Sequence, residues 1–220
     1  MKTAENKKKG FYDIEISFTQ DPAKPFFDLN DIFYLRNLQQ RKLFLSGEIT
    51  DDSAEEIVAN ILQFNREDED NGTEMGKRMP IKLYINSPGG LVTAGFSIID
   101  AIVISETPVY TINTGVCYSM AFLVAICGAK RYAMESSTFL LHDGTIGFGD
   151  SQSKAEDIVD FNKRYNEDIV KKHVTTFTGI SSAMYDEKKR VEWYMLAQDA
   201  KDMGVIDYLV GLDTPIYDII

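Results

Sequence analysis

The chain has 220 residues, 44% of them apolar, which is enough for one full-sized domain with a buried core. Its 23 Lys and Arg against 34 Asp and Glu give a net charge of −11, which repels phosphate backbones and anionic lipid and excludes nucleic acid and membranes as default partners. No apolar run reaches the roughly 18–20 residues of a spanning helix, and no apolar segment follows the N-terminal lysines, so the expected location is cytoplasmic. Two cysteines, Cys117 and Cys127, and two histidines, His142 and His173, lack the paired spacings of a metal site. The cysteines read as buried, reduced thiols, and neither a metal nor a cofactor is expected.

Residues 1–30 stand apart, with a lysine cluster at Lys7, Lys8 and Lys9 and then an alternation of Tyr12, Ile14, Ile16 and Phe18 that predicts a short strand or hairpin leading into a turn. A strand is expected over 43–47. Asp52 or Ser53 then caps a helix whose Ala54, Ile57, Val58, Ile61 and Leu62 form one apolar face. The acidic run 66–72 and the turn-rich stretch up to Pro80 read as a solvated loop. A strand over 81–86 leads through Ser87-Pro88-Gly89-Gly90 into a helix with Val92, Phe96, Ile99 and Val103 on one side, ending before Thr107-Pro108. A strand over 109–113 turns at Gly115 into an apolar helix over 119–127, and two short strands follow over 131–134 and 138–141. Beyond the glycine-rich stretch 144–149, the spacing of Ile158, Phe161, Tyr165, Ile169 and His173 predicts one long helix over 154–173. A helix over 197–203, closed by Gly204, and a strand over 205–210 complete the pattern. Strands and helices alternate throughout, the signature of β-α crossover units on a mostly parallel sheet and hence of an α/β fold.

Three local features carry chemistry. Pro88-Gly89-Gly90 lies at a strand-to-helix junction, where missing side chains open backbone N–H groups to an oxygen; its bland reading is a turn. Gly115 to Met120 places Ser119 at a helix N-terminus, where serine is often only a cap. Leu140-Leu141-His142-Asp143 delivers a histidine from the end of an apolar strand, a position more often structural than catalytic. A hydroxyl nucleophile needs a base, an acid to orient the base and donors for an oxyanion, and the chain offers candidates for each.

The span Leu83 to Gly90, the helix start Thr93-Ala94-Gly95, the turn from Gly115 to Met120 and the ending from Ala200 to Asp207 resemble the ClpP family of proteolytic subunits, over about 29–210. The resemblance implies a crotonase-like α/β fold and a serine endopeptidase that hydrolyses peptide bonds inside a self-assembled chamber of stacked heptameric rings. The implied partners are other copies of the chain, peptide and unfolded-protein substrates, and an AAA+ ATPase unfoldase. It also implies an N-terminal axial segment over 1–28, a peptidase domain over 29–220 and, within it, a handle over about 144–177. Ser119 resembles the nucleophile and His142 the general base; backbone N–H groups of Gly90 and Met120 correspond to the oxyanion hole. Gly144, Gly147 and Gly149 fall on the strand that holds an extended substrate.

The sequence departs from the family at the triad acid. The family's aspartate falls on Glu192, while Asp143, next to His142, stands where glutamine is usual and is a rival partner, although consecutive residues of an extended chain point apart. Gly144 replaces a usual proline. Tyr84 and Ile104 fall where the family receives an ATPase loop, with Lys82 where an aromatic is common. These departures motivate an alternative reading as a catalytically impaired scaffold or regulatory ring subunit. A crotonase-like acyl-CoA enzyme is less well supported, because such enzymes do not need the Ser119 and His142 pair. His173 reads as structural.

Overall fold

The computed structural model describes residues 29–144 and 152–220. The strand expected between Tyr12 and Phe18, together with Gly147 and Gly149, lies outside the described residues.

The elements run α1 (Leu29–Gln39), β1 (Lys42–Ile49), α2 (Asp51–Asp70), β2 (Ile81–Gly90), α3 (Val92–Ile104), β3 (Val109–Tyr118), α4 (Met120–Ala125), β4 (Lys130–Met134) and β5 (Thr138–Leu141). After these come α5 (Gln152–Tyr165), a π-helical segment (Asn166–Lys171), α6 (Lys172–Phe177), α7 (Ser182–Lys188), β6 (Trp193–Leu196), α8 (Ala197–Asp202) and β7 (Tyr208–Val210). The main sheet has the order β1-β2-β3-β4-β7, every neighbouring pair parallel. This is the crossover architecture that the alternating pattern implies. β5 adds in parallel to β3, and β6 pairs antiparallel with β5.

The core lies where α2, α3 and α4 cover one face of the sheet. All six residues of α4 are buried, as are Ile81, Leu83 and Ile85 of β2; a strand covered by helices shows such an apolar row. Both cysteines are free and buried as expected, and burial pushes the Cys127 thiol up to about 12. On the other face, Ile112 and Tyr132 form a smaller cluster with Ile219, whose carbonyl accepts a hydrogen bond from the Tyr84 hydroxyl.

Several local expectations are corrected. Thr50, and not Asp52 or Ser53, is the cap of α2: its hydroxyl accepts from the Ser53 N–H at 3.2 Å while Ser53 Oγ accepts from the Thr50 N–H at 3.0 Å. Residues 66–70 are not loop but the end of α2, with Asp68 buried there. The buried face of α3 is carried by Ala94, Gly95, Ile98, Ile99, Ala101 and Ile102, while Val92 and Val103 are exposed. The helix expected over 154–173 extends from Gln152 to Phe177 and contains the π segment.

The largest correction is in β3, which does not end at Asn113. From Ile85 to Ser87 on β2 is two residues, whereas their partners Asn113 and Cys117 are four apart, so Thr114, Gly115 and Val116 form a bulge. Asn86 Oδ1 accepts from the Val116 N–H at 3.1 Å, Asn113 Oδ1 accepts from the Gly115 N–H at 3.0 Å, and Asn113 Nδ2 donates to the Thr138 carbonyl at 3.0 Å. A Cβ at position 115 would stand 2.4 Å from Asn86 Oδ1, which explains the glycine. The bulge forks the strand: up to Asn113 it pairs with β4, and from Val116 to Tyr118 it pairs with β5. The fork carries the end of β3 to β5, and with it the residue that follows, Ser119.

Candidate active site

Ser119 joins β3 to α4 with φ +55° and ψ −122°, a combination that costs a non-glycine residue roughly 1–3 kcal/mol. Its N–H donates to the Leu140 carbonyl at 2.9 Å, and its own carbonyl accepts from Phe122 N–H at 3.0 Å. The residue occupies the cap position of α4, yet its side chain makes no capping hydrogen bond. The bland reading of Ser119 as a simple helix cap therefore does not describe it. Ser119 lines a cavity of about 130 Å³ together with His142.

His142 follows β5 directly. The antiparallel register pairs Leu141 with Trp193, so one step further along each chain brings His142 beside Glu192. Glu192 Oε1 lies 3.4 Å from His142 Nδ1, and the Tyr194 hydroxyl donates to the other oxygen, Oε2, at 2.9 Å. Asp143 is held through its main chain, whose N–H donates to the Lys189 carbonyl at 2.8 Å. Its charge falls on Tyr185, whose hydroxyl burial, followed by the Asp143 and Asp186 charges, pushes up to about 12. The carboxylate that the fold brings to His142 is thus Glu192.

At the end of β2, Gly89 has φ +98°, and a Cβ there would meet Tyr118 O at 2.7 Å, Ser119 Cβ at 2.9 Å and Met120 N at 3.0 Å. Glycine is required both by the backbone conformation and by this close approach. Gly90 pairs with Ile49 of β1. Met120 opens α4, is buried with its side chain over Gly95 of α3, and is among the residues lining the cavity. Gly144 lines the same cavity.

The remaining lining is apolar from Val92, Leu123, Leu141 and Val170 and polar from Asn162, Asn166 and Tyr165. Asn166 and Val170 belong to the π segment, a distortion that commonly re-aims side chains at functional sites. Behind the cavity His173 is buried, its Nε2 2.8 Å from the Leu123 carbonyl. Burial pushes its pKa below the ordinary value, and Phe96 and Phe177 pack on its ring. It fastens α4 to α6, a structural role.

The sequence reading missed Tyr194, Asn86, Asn113 and the wall supplied by Asn162 and Asn166. The i, i+2 spacing of Glu192 and Tyr194 places both on one face of a strand, but β6 is only four residues long and gives no periodic signal of its own. Among the described residues no group of three or more His, Cys, Asp or Glu side chains could hold a metal ion. No described helix is long and apolar enough to cross a membrane.

A mostly parallel sheet built from crossover units, with Ser119 at a strained strand-to-helix turn and the His142–Glu192 pair reaching the same cavity through His142, is an α/β architecture of the crotonase-like class. The sequence profile of the Clp protease family matches residues 29–212. The match spans most of the chain, which belongs to the Clp protease family.

Proposed function

We propose that the chain is a serine endopeptidase in which Ser119 is the nucleophile, His142 the general base and Glu192 the acid that orients it. The observation that carries this reading is one cavity shared by His142, paired through Nδ1 with Glu192, and a strained Ser119 whose side chain does not cap its helix. Ser119 Oγ attacks the scissile carbonyl carbon while His142 Nε2 takes its proton. The C–N bond then breaks, and the imidazolium returns that proton to the leaving amine. Water repeats the sequence on the acyl-enzyme and regenerates Ser119. Glu192 orients His142 and stabilises the imidazolium.

The oxyanion is received by the N–H groups of Met120 and Gly90. Leu91 N–H is committed to the Ile49 carbonyl of β1 at 2.9 Å and Gly89 N–H to Ser87 Oγ at 3.1 Å, and Met120 opens α4 next to this turn, where a Cβ on Gly89 would come within 3.0 Å of the Met120 nitrogen. Removing one such donor typically costs on the order of 100-fold or more in rate. The apolar wall of the cavity suits an apolar substrate side chain next to the scissile bond, and the stretch from Gly144 through Gly147 and Gly149 holds the extended peptide.

Assembly into stacked rings through the handle at about 144–177, with residues 1–28 at the axis and unfolded proteins delivered by an AAA+ unfoldase, completes the proposal. The apolar side chains of Ile158, Phe161 and Ile169, exposed along the handle helices, support the assembly step.

The decisive experiment treats the purified, assembled protein with a fluorophosphonate and locates the adduct by peptide mass spectrometry. A single adduct on Ser119, lost in Ser119→Ala and strongly reduced in His142→Ala, is the expected result. An assembled protein that takes up no label rejects the peptidase reading in favour of a scaffold or regulatory ring subunit.

A further inference from the structure

Glu192 is the most exposed part of the histidine–carboxylate pair, with 60% of its side chain accessible against 25% for His142. A carboxylate on a long, exposed side chain samples several rotamers and is well hydrated, so a single contact of 3.4 Å to the imidazole is a weak hold. A second hold comes from Tyr194, two residues further along β6, whose hydroxyl donates to Oε2 at 2.9 Å and leaves Oε1 on the His142 side.

Tyr194 is itself well placed. Its main chain is paired with Leu140, two residues before His142. Its ring stands edge-on to Tyr118, with centroids 5.8 Å apart and planes at 88°, a favourable aromatic geometry. Tyr118 is anchored in turn by a 2.7 Å hydrogen bond between its hydroxyl and Thr138 Oγ1, and it immediately precedes Ser119. The hydrogen bond to Glu192 and the carboxylate charge raise the Tyr194 hydroxyl above its ordinary value.

We propose that Tyr194 is a positioning residue: its hydroxyl fixes one oxygen of the Glu192 carboxylate so that the other faces His142 Nδ1, and its ring ties that carboxylate to the strand end carrying Ser119. This inference rests on the peptidase reading above. It accounts for how a glutamate, one methylene longer than aspartate, holds a defined orientation in an exposed position.

Tyr194→Phe keeps the ring and its edge contact and removes only the hydroxyl. Its kcat on a fluorogenic peptide, and its rate of fluorophosphonate labelling at Ser119, are expected to fall about 3- to 10-fold, with KM changed less than about twofold. The same substitution in a Glu192→Ala background is expected to change neither rate further, because the group it positions is gone. An equal loss in both backgrounds would assign Tyr194 a merely structural role and overturn the proposal, as would wild-type rates in Tyr194→Phe. Failure of the wild type to label overturns both this inference and the peptidase reading, whereas a labelled wild type with an indifferent Tyr194→Phe overturns this inference alone.

Discussion

Ser119 is held in a conformation that glycine adopts readily and serine does not, with φ +55° and ψ −122°. The surroundings maintain it: Ser119 N–H is committed to Leu140, and Gly89 leaves only enough room for Ser119 Cβ and the Met120 amide, which a Cβ at 89 would meet at 2.9 and 3.0 Å. Strain of this kind costs roughly 1–3 kcal/mol, and the peptidase reading gives it a purpose, since Ser119 lines the cavity and its hydroxyl is not spent on capping α4. Ser119→Gly removes the strain but adds about 0.5–1 kcal/mol of chain entropy in the unfolded state. The expected result in urea unfolding is net stabilisation of up to about 2 kcal/mol with complete loss of peptidase activity. Ser119→Ala, which keeps the Cβ and the strain, is expected to lose activity while remaining close to wild type in stability. A Ser119→Gly variant less stable than Ser119→Ala would show that the turn is not strained.

At the scale of elements, the end of α2 is fastened to its neighbours by a buried polar junction. Arg41, just before β1, donates to Asp68 Oδ2 at 2.7 Å and Oδ1 at 2.8 Å, and Thr107 Oγ1, just before β3, donates to Oδ2 at 2.7 Å. Burial alone would raise the Asp68 carboxyl, but the Arg41 and Thr107 hydrogen bonds, with the charges of Arg41 and Arg78, outweigh it and hold the group below the ordinary value of 3.8. A carboxyl depressed in the folded state binds its proton more readily when unfolded. Its contribution is therefore present above about pH 4 and is lost as pH falls through the folded value. Asp68→Asn leaves the Arg41 charge without its partner, and a loss of about 3 kcal/mol is expected at pH 7. The gap from wild type should begin to narrow below about pH 4, where the unfolded wild type takes up the proton, and go on narrowing down to the lower folded value; a gap constant from pH 7 to pH 3 would contradict this. The junction was invisible in the sequence because the charge run 66–70 looks like any solvated segment, and only tertiary contact shows that Asp68 alone turns inward. The same reason hid the fork in β3, which depends on Asn86 and Asn113 meeting across strands. It also hid β6, whose four residues follow β5 rather than a pattern of their own. The long apolar elements were legible from periodicity, and the order of Ser119, His142 and Glu192 from the family resemblance. The geometry joining those three residues was not.

The molecule as a whole combines a net charge of −11 with an apolar stripe that its own core leaves uncovered. Tyr165, at the base of α5, packs edge-on against Phe96 with centroids 5.6 Å apart. Outward from it Ile158 and Phe161 are 40% and 59% exposed, and Ile169 in the adjoining π segment is 42% exposed. Under the assembly proposed above, this stripe is the surface that a second copy covers. Two forces then compete: burial of apolar side chains, which contributes about 25 cal/mol per Å², and repulsion between copies of the same sign. Salt weakens only the second, since the Debye length falls from about 10 Å at 0.1 M to about 3 Å at 1 M. Assembly is therefore expected to strengthen between low and moderate salt, opposite to the trend for a complex held by ion pairs. Phe161→Asp adds charge and removes apolar area at the same point, so sedimentation velocity should show its oligomer fraction falling sharply at every salt concentration. The stability of the isolated subunit should change by no more than about 0.5 kcal/mol, because the side chain is exposed there. A Phe161→Asp protein that sediments like wild type would remove the stripe from the assembly surface and leave its exposure to be explained by another contact.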